Sequence, residues 1–281
     1  MAGRGTEHPP RKDDETDALA SALAAAFGAM PEVVAVALGG SRATGTADAT
    51  SDIDLYVYSD TEVPVAGRTA LIAPRSSRRE IDNRFWETGD EWTEAASGLH
   101  VDVMYRTRVW TEEQLDRVLD RHEPQIGYST CIWHNIATAR PLFDRTGWFA
   151  TLQDRAGQPY PDALARAIVA RNRPLLSGSF SAFRDQMIKA ATRGDRVSVN
   201  HRTAAFLASY FDVLFAANRA LHPGEKRLVD AAAALPRVPA GMANHIQELL
   251  AADGSPARIA ACADALCSGL DTVLAGTTLP A

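Results

Sequence analysis

The sequence predicts an α+β protein in which a strand-bearing amino-terminal part is followed by an α-helical bundle. Short apolar runs that are rich in β-branched residues occur only in about the first 105 residues. From Trp110 onward apolar residues recur at intervals of three and four, which is typical of helices. Beyond about residue 158, Ala-rich helical patterns alternate with Pro and Gly clusters. A chain of 281 residues is long enough for two domains of this kind.

The amino-terminal region predicts a tail and then a helix. Residues 1–16 are rich in Gly, Pro and charged residues and lack an apolar segment, so we expect a disordered tail and no secretory signal. Leu19, Leu23 and Phe27 are spaced four residues apart, which predicts an amphipathic helix from Asp17 to Met30.

The next part of the chain predicts a sheet. Val33 to Leu38, Ile53 to Tyr58 and Leu99 to Tyr105 have the composition of buried strands. Ala70 to Ala73 is expected to form a short strand. Aromatic residues stand among many charges in Ser76 to Glu94, so we expect an ordered loop or a short helix there.

The remainder of the chain predicts helices. Leu115, Val118 and Leu119 share one helical face, and the longest predicted helix runs from Val199 to Leu221. A His-Pro-Gly sequence then ends it. We therefore predict two domains, 17–157 and 158–281.

Composition excludes several classes of protein. The chain has 29 basic and 35 acidic residues, a formal net charge of −6, which disfavours binding to nucleic acid over a large surface. No apolar run approaches the roughly 20 residues that a membrane span needs. The three cysteines are an odd number without a C-x-x-C pair, so we expect reduced thiols and a cytoplasmic protein.

The residues that carry chemistry lie around the first two strands. Gly39-Gly40-Ser41 breaks the first strand, and Asp52-Ile53-Asp54 begins the second. Glycines let the backbone approach an anion closely, and a helix that begins at the turn would direct free N–H groups at a phosphate. Alternate strand residues point to one face, so Asp52 and Asp54 are expected to converge on a cation such as Mg²⁺. A third carboxylate, Asp102, lies between two apolar strand residues, where a charge needs a partner.

This order of residues resembles the nucleotidyltransferase superfamily of the DNA polymerase beta type. Gly40 and Ser41 are followed after ten residues by Asp52-x-Asp54 and later by a strand aspartate, and the resemblance covers about Val33 to Tyr105. It implies a small mixed sheet with helices. It also implies transfer of a nucleotidyl group from a nucleoside triphosphate, with release of pyrophosphate.

The resemblance also implies a role for each residue of the motif. Asp52 and Asp54 would ligate Mg²⁺, and Gly40 and Ser41 would hold the β- and γ-phosphates. Asp102 would complete the metal site or deprotonate the acceptor hydroxyl.

The second half of the chain adds a weaker resemblance. Leu214 to Arg219, Pro223 to Arg227 and Trp86 to Asp90 are similar to a bacterial group in which a nucleotidyltransferase domain is joined to a helical domain of unassigned function. The architecture is also similar to that of aminoglycoside and lincosamide nucleotidyltransferases, whose helical domain forms the acceptor cleft. We therefore expect residues 158–281 to bind the acceptor.

Candidate phosphate ligands come from the basic residues. Arg166 to Arg227 contains 11 basic and 4 acidic residues, a local charge of +7. Lys226 is the first candidate for pyrophosphate, Arg219 the second, and Arg42 the third because it adjoins the turn. The alternative is that these side chains are solvated surface or helix-capping residues.

These observations predict a Mg²⁺-dependent enzyme that transfers a nucleoside monophosphate, AMP in the first instance, from ATP or another nucleoside triphosphate to a hydroxyl of a small molecule. Two alternatives stay open. The acceptor could be a protein, as in AMPylation by superfamily members that are paired with toxins. The protein could also be a non-catalytic regulator that retains the nucleotide pocket, although the presence of all three carboxylates argues against this.

Overall fold

A computed structural model gives the structure of the protein and describes residues 12–45, 48 and 51–277. The elements of the first half are α1 (Lys12–Gly28), β1 (Val33–Leu38), α2 (Gly40–Thr44), β2 (Ile53–Ser59), α3 (Val65–Ile72), β3 (Ser76–Asn83), β4 (Gly89–Glu94), β5 (His100–Thr107), α4 (Arg108–Leu119), α5 (Cys131–Thr138), β6 (Arg140–Asp144) and α6 (Trp148–Ala156). The elements of the second half are α7 (Asp162–Leu176), α8 (Phe183–Thr192), α9 (Arg196–Ala217), α10 (Leu228–Ala233), α11 (Met242–Leu250) and α12 (Pro256–Ala275).

The six strands form one sheet in the order β3-β4-β5-β2-β1-β6. The central pair, β2 and β5, is parallel, and every other pair of neighbours is antiparallel. This confirms the mixed sheet that the sequence resemblance implied. Parallel strands require a crossover connection, and α3, β3 and β4 lie in the chain between β2 and β5.

One face of the sheet carries the apolar core of this part. Alternate residues of β2 and β5, among them Ile53, Leu55, Val101 and Val103, are fully buried and pack with side chains of α1 and with Ile72 of α3. The side chains between them therefore point to the other face. That alternation places the acidic residues of both strands together.

The described residues divide into two compact units. The first contains residues up to Glu113 together with Asn135–Gly157, and the second contains Gln114–His134 together with Gln158–Ala281. The predicted 17–157 domain includes residues 114–134, which instead belong to the second unit. Helical periodicity predicted α4, but it carried no information on the unit boundaries, which fall within α4 and α5.

The core of the second unit is built around α9. Residues 209–217 are buried without interruption, and α9 packs against α7, α8 and α12. The helix extends from Arg196 to Ala217, so the predicted span of Val199 to Leu221 is displaced toward the carboxyl end. The Asp195 side chain caps the first turn by accepting from the backbone N–H of Ser198.

The structure corrects three expectations about local structure. The helix α1 begins at Lys12, so residues 12–16 are helical and Thr16 is buried, while residues 1–11 of the predicted tail lie outside the described residues. Ala70 to Ala73 is not a strand, because it forms the end of α3 and the start of a 3₁₀ turn. The segment Ser76 to Glu94 contains the hairpin strands β3 and β4 and is neither a loop nor a helix.

The hairpin was missed because its polar residues conceal the alternation. Asp90, Trp92 and Glu94 of β4 are all buried, although two of them are acidic. Asp90 accepts hydrogen bonds from buried Arg68 at 2.9 Å and from the Tyr105 hydroxyl at 2.7 Å. Glu94 accepts from the Trp92 indole at 3.1 Å. Buried carboxylates that are paired in this way can replace apolar residues in a strand.

The three cysteines, Cys131, Cys262 and Cys267, are free thiols. Among the helices in the part of the chain that the structure describes, none is long and apolar enough to cross a membrane.

Candidate active site

Two of the predicted aspartates lie side by side on adjacent strands. Asp54 of β2 is the register partner of Asp102 of β5 in the parallel pair. Strand neighbours are about 4.8 Å apart. Both side chains point away from the apolar core, and both residues are partly exposed. The fold therefore brings together two carboxylates that are 48 positions apart in the chain.

The glycine turn packs directly against this pair. Gly40 has φ of +62°, and a Cβ atom built on it would lie 1.8 Å from Oδ2 of Asp54. A Cβ on Gly39 would lie 2.5 Å from the ring of Tyr56, two residues further along β2. The backbone N–H of Gly39 also donates to the carbonyl of Asp54 at 2.8 Å. Both positions exclude any side chain, so the Gly-Gly sequence fixes the turn against the Asp54 carboxylate.

The helix predicted at this turn is α2, which begins at Gly40 and contains Ser41. The first backbone N–H groups of a helix have no acceptor within the helix. In α2 the first two of these groups are the backbone N–H groups of Gly40 and Ser41. They lie at the turn that packs against the Asp54 carboxylate.

Asp52 lies in the loop before β2 and is exposed. Arg42 of α2 holds this loop, since its Nε donates to the backbone carbonyl of Ser51 at 3.1 Å and to that of Asp52 at 2.9 Å. Its terminal Nη2 donates to the same Ser51 carbonyl. The predicted phosphate ligand Arg42 thus positions the backbone that carries Asp52.

The electrostatics of Asp102 are unusual for an aspartate. Burial, followed by repulsion from Glu91 and Asp54, raises its pKa from 3.8 to about 6. The charge of His100 lowers this pKa and that of Asp52 raises it. A cation beside these carboxylates would stabilise the charged form of Asp102.

The donor set suits a hard divalent cation, because Mg²⁺ prefers carboxylate oxygens and retains several water ligands. Among the residues that the structure describes, however, no three His, Cys, Asp or Glu side chains are arranged closely enough to hold a metal ion. Asp54 and Asp102 are fixed by strand pairing, whereas Asp52 lies in a loop. Binding of a metal ion by Asp52, Asp54 and Asp102 therefore stays a prediction.

Two predicted phosphate ligands lie in the second unit. Arg219 follows α9 and donates to Asp162 from Nε at 2.9 Å and from Nη2 at 2.6 Å. Lys226 is exposed in the segment between α9 and α10. A role for either residue toward a phosphate stays a prediction.

The helical half also contains a buried carboxylate, Asp212 of α9. The structure places it inside the second unit with 1% of its surface exposed. It accepts from the N–H of Ser129 at 2.9 Å, from the Ser129 hydroxyl at 2.7 Å and from the Asn172 amide at 3.2 Å. These bonds give Asp212 a structural role.

Sequence reasoning missed Glu91. It is the register partner of Asp102 on β4, so it extends the row of carboxylates across a third strand. Its Oε1 accepts from the Asn83 amide at 3.2 Å, and its Oε2 lies 3.8 Å from Nε2 of His100. The charge of Glu91 was visible in the sequence, but its position depended on recognising β4 as a strand.

A family model matches the part of the chain that carries these residues. The model of the nucleotidyltransferase domain matches residues 20–124, which include the glycine turn and all three aspartates. This segment is a nucleotidyltransferase domain. The protein is therefore a transferase whose general chemistry is nucleotidyl transfer.

No curated protein matches the chain. Thirteen chains of solved structures do, including the crystal structure of a nucleotidyltransferase-like protein from Exiguobacterium sibiricum 255-15. That alignment has 12% sequence identity and a TM-score of 0.42, and it covers 95% of this chain and 75% of the other.

Proposed function

We propose that the protein transfers a nucleoside monophosphate, AMP in the first instance, from a nucleoside triphosphate to a hydroxyl of a small molecule in a Mg²⁺-dependent reaction. The observation that carries the proposal is the register pairing of Asp54 with Asp102, with Gly40 packed on the Asp54 carboxylate. The domain match supports the general reaction.

Asp52, Asp54 and Asp102 are the residues that would hold Mg²⁺. When bound, the ion would neutralise charge on the triphosphate and align the reacting oxygens. Gly40 and Ser41 would hold the β- and γ-phosphates through their backbone N–H groups, which the closely packed turn leaves without bulky side chains.

In the reaction, the acceptor oxygen forms a bond to the α-phosphorus, and the bond from that phosphorus to the bridging oxygen of pyrophosphate breaks. Asp102 either completes the metal site or accepts the proton of the acceptor hydroxyl. Its partly exposed position and its pKa of about 6 are compatible with both roles. Alignment and charge neutralisation are the main requirements of such a transfer.

The test is the thermal stability of the protein with ATP, GTP, CTP or UTP, each with and without Mg²⁺. A ligand at 100 times its Kd stabilises a protein by about 2.7 kcal/mol. We expect a Mg²⁺-dependent shift for at least one triphosphate, largest for ATP, and its loss in the double variant Asp52→Asn, Asp54→Asn.

The outcomes distinguish the possible acceptors and test the nucleotide site. A shift in the wild type followed by pyrophosphate release with small hydroxylated compounds would support the proposal. Label transfer from ATP to a protein instead would favour protein nucleotidylation. Binding without any turnover would favour a regulatory protein, and the absence of a shift with all four triphosphates would contradict the nucleotide site.

A further inference from the structure

The face of the sheet that carries the two strand aspartates also carries a buried tyrosine and a buried arginine. Tyr56 follows Asp54 at the next alternate position of β2, and Arg106 lies at an alternate position after Asp102 on β5. The guanidinium carbon of Arg106 lies 4.4 Å from the centre of the Tyr56 ring. A cation is attracted to the face of an aromatic ring, and the attraction is stronger when both groups are shielded from water.

Arg106 is itself held by a carboxylate from the loop between β3 and β4. Its Nε donates to Oε2 of Glu87 at 2.7 Å, and its Nη2 donates to Oε1 of Glu87 at 2.8 Å. Two parallel bonds of this kind fix the plane of the guanidinium. A lysine would offer a point charge without such a plane. Glu87 therefore determines how the guanidinium of Arg106 lies on the Tyr56 ring.

The Tyr56 ring occupies the space beside the glycine turn. A Cβ atom on Gly39 would lie 2.5 Å from Cε2 and 2.7 Å from Cζ of this ring, and the next residue, Gly40, packs on the Asp54 carboxylate. Burial raises the pKa of Tyr56 to about 12, although the charge of Arg106 opposes the rise. The phenol is therefore uncharged at neutral pH, and Tyr56 acts on the turn through the position of its ring.

We propose that Glu87 and Arg106 are positioning residues for phosphate binding, because they hold the Tyr56 ring against the turn that carries the backbone N–H groups of Gly40 and Ser41. The proposal rests on the proposed function, since it takes this turn to bind the β- and γ-phosphates. An aliphatic residue would fill the place of Arg106 without the cost of burying a charge. Two directed bonds to Glu87 define one position for the guanidinium and hence for the ring, which an aliphatic side chain would not do.

A second buried arginine makes similar contacts on the opposite face of the sheet and provides the matched control. Arg68 of α3 donates to Asp90 and to Asp82, each at 2.9 Å. Its guanidinium carbon lies 4.5 Å from the centre of the Tyr105 ring. Tyr105 packs against the apolar core that lies on the side of α1. Loss of Arg68 should therefore destabilise the same unit without displacing the glycine turn.

The experiment measures the Kd of ATP with Mg²⁺ by calorimetric titration of the full-length protein, together with the Tm of each variant. Arg106→Met keeps an unbranched side chain without the charge. It should raise the Kd at least about tenfold, because the N–H groups of the turn would no longer be aligned with the phosphates. Glu87→Gln should raise the Kd by a smaller factor, since it weakens the hold on Arg106. Arg68→Met should lower the Tm and keep the Kd within about twofold of the wild type.

Variants of Tyr56 test whether the ring transmits the effect. Tyr56→Phe keeps the ring and should bind ATP like the wild type, whereas Tyr56→Leu should bind it at least about tenfold more weakly. The double variant Tyr56→Leu, Arg106→Met should lose no more affinity than Tyr56→Leu alone, because residues that act through one contact are not additive. AMP lacks the β- and γ-phosphates, so its Kd should be the same for Arg106→Met and the wild type.

The outcomes separate the positioning role from the proposed function. An unchanged Kd for ATP in Arg106→Met, an equal loss in Arg68→Met, or an equal loss for ATP and AMP would overturn the positioning role and leave the nucleotide site in place. Independent losses that add in the double variant would overturn transmission through the ring. If Arg106→Met does not fold, wild-type affinity in both Glu87→Gln and Tyr56→Leu would overturn the role. A wild type that does not bind ATP would overturn the proposed function itself.

Discussion

Replacing Gly40 with alanine adds one methyl group between the turn and the Asp54 carboxylate. The residue has φ of +62°, and an L-residue in the left-handed region costs about 1–2 kcal/mol. The new Cβ would lie 1.8 Å from Asp54 Oδ2. Because non-bonded heavy atoms prefer roughly 3.5 Å, the carboxylate must move by roughly 1.5 Å. We therefore expect a modest loss of stability together with a displaced metal ligand.

Two assays measure these effects separately. A loss of about 1–2 kcal/mol should lower the Tm by roughly 2–8 °C. Calorimetric titration with ATP and Mg²⁺ should give a Kd at least about tenfold higher than that of the wild type. A misplacement of about 1 Å can reduce a rate about 100-fold, so turnover should fall more than affinity once an acceptor is available.

Gly45 provides the matched control. Its φ is +71°, close to that of Gly40, but among the described residues other than its chain neighbours no atom lies within 4 Å of the position that its Cβ would occupy. Gly45→Ala should therefore lose similar stability and keep its affinity for nucleotide and Mg²⁺. The reasoning would be refuted if Gly40→Ala bound nucleotide like the wild type, or if Gly45→Ala lost as much affinity as Gly40→Ala.

Four further changes test other parts of the molecule. Asp102→Asn should abolish transfer yet raise the metal-free Tm at pH 8. The pKa of Asp102 in the folded state is raised to about 6, so its charged form destabilises the folded protein at pH 8 and this destabilisation disappears as the pH falls. Thermal melts at pH 4 should therefore show no increase in Tm for Asp102→Asn. Arg42→Ala should weaken Mg²⁺ binding several-fold through Asp52 with little change in Tm, as a Mg²⁺ titration of nucleotide binding would measure. Lys226→Ala should weaken nucleotide binding by about fivefold at low salt, and an unchanged Kd would exclude this residue from phosphate contacts. Asp212→Ala should lower the free energy of unfolding by about 1–3 kcal/mol in urea because it leaves buried donors unpaired, and a loss of activity without that change would contradict its structural role.

The parts of the fold that could be predicted were those in which apolar residues reveal their own spacing. The strands β1, β2 and β5 are built of buried aliphatic residues, and Leu23 and Phe27 of α1 pack on them. The edge strand β3 offered no such signal, since Arg78, Arg79 and Glu80 are exposed. An edge strand with charged side chains avoids pairing with other chains, but its sequence then lacks the alternation that identifies a strand.

The site residues also differ in how well the sequence predicts them, depending on whether local spacing or long-range pairing places them. Local spacing was sufficient to select Gly40, Asp52 and Asp54, because strand, turn and strand follow one another in the chain. The pairing of Asp54 with Asp102 depends on a long-range register, and here a family resemblance supplied what spacing could not. Neither local spacing nor the family resemblance pointed to Glu91. Its place beside Asp102 results from the β4–β5 pairing, which the buried acidic residues of β4 conceal.

The buried and paired carboxylates of this protein differ in the cause of their pKa shifts. Hydrogen bonds from Arg68 and Arg84 lower the pKa of Asp82, and bonds from Arg184 lower that of Asp264. The pKa of Asp212 is raised by burial to about 6, but its bonds from Ser129 oppose the rise. The pKa of Asp102 reaches a similar value, and there the largest contributions after burial are the charges of two other carboxylates, Glu91 and Asp54. Burial next to like charges does not stabilise a sheet, and the cation of the proposed function would offset this repulsion.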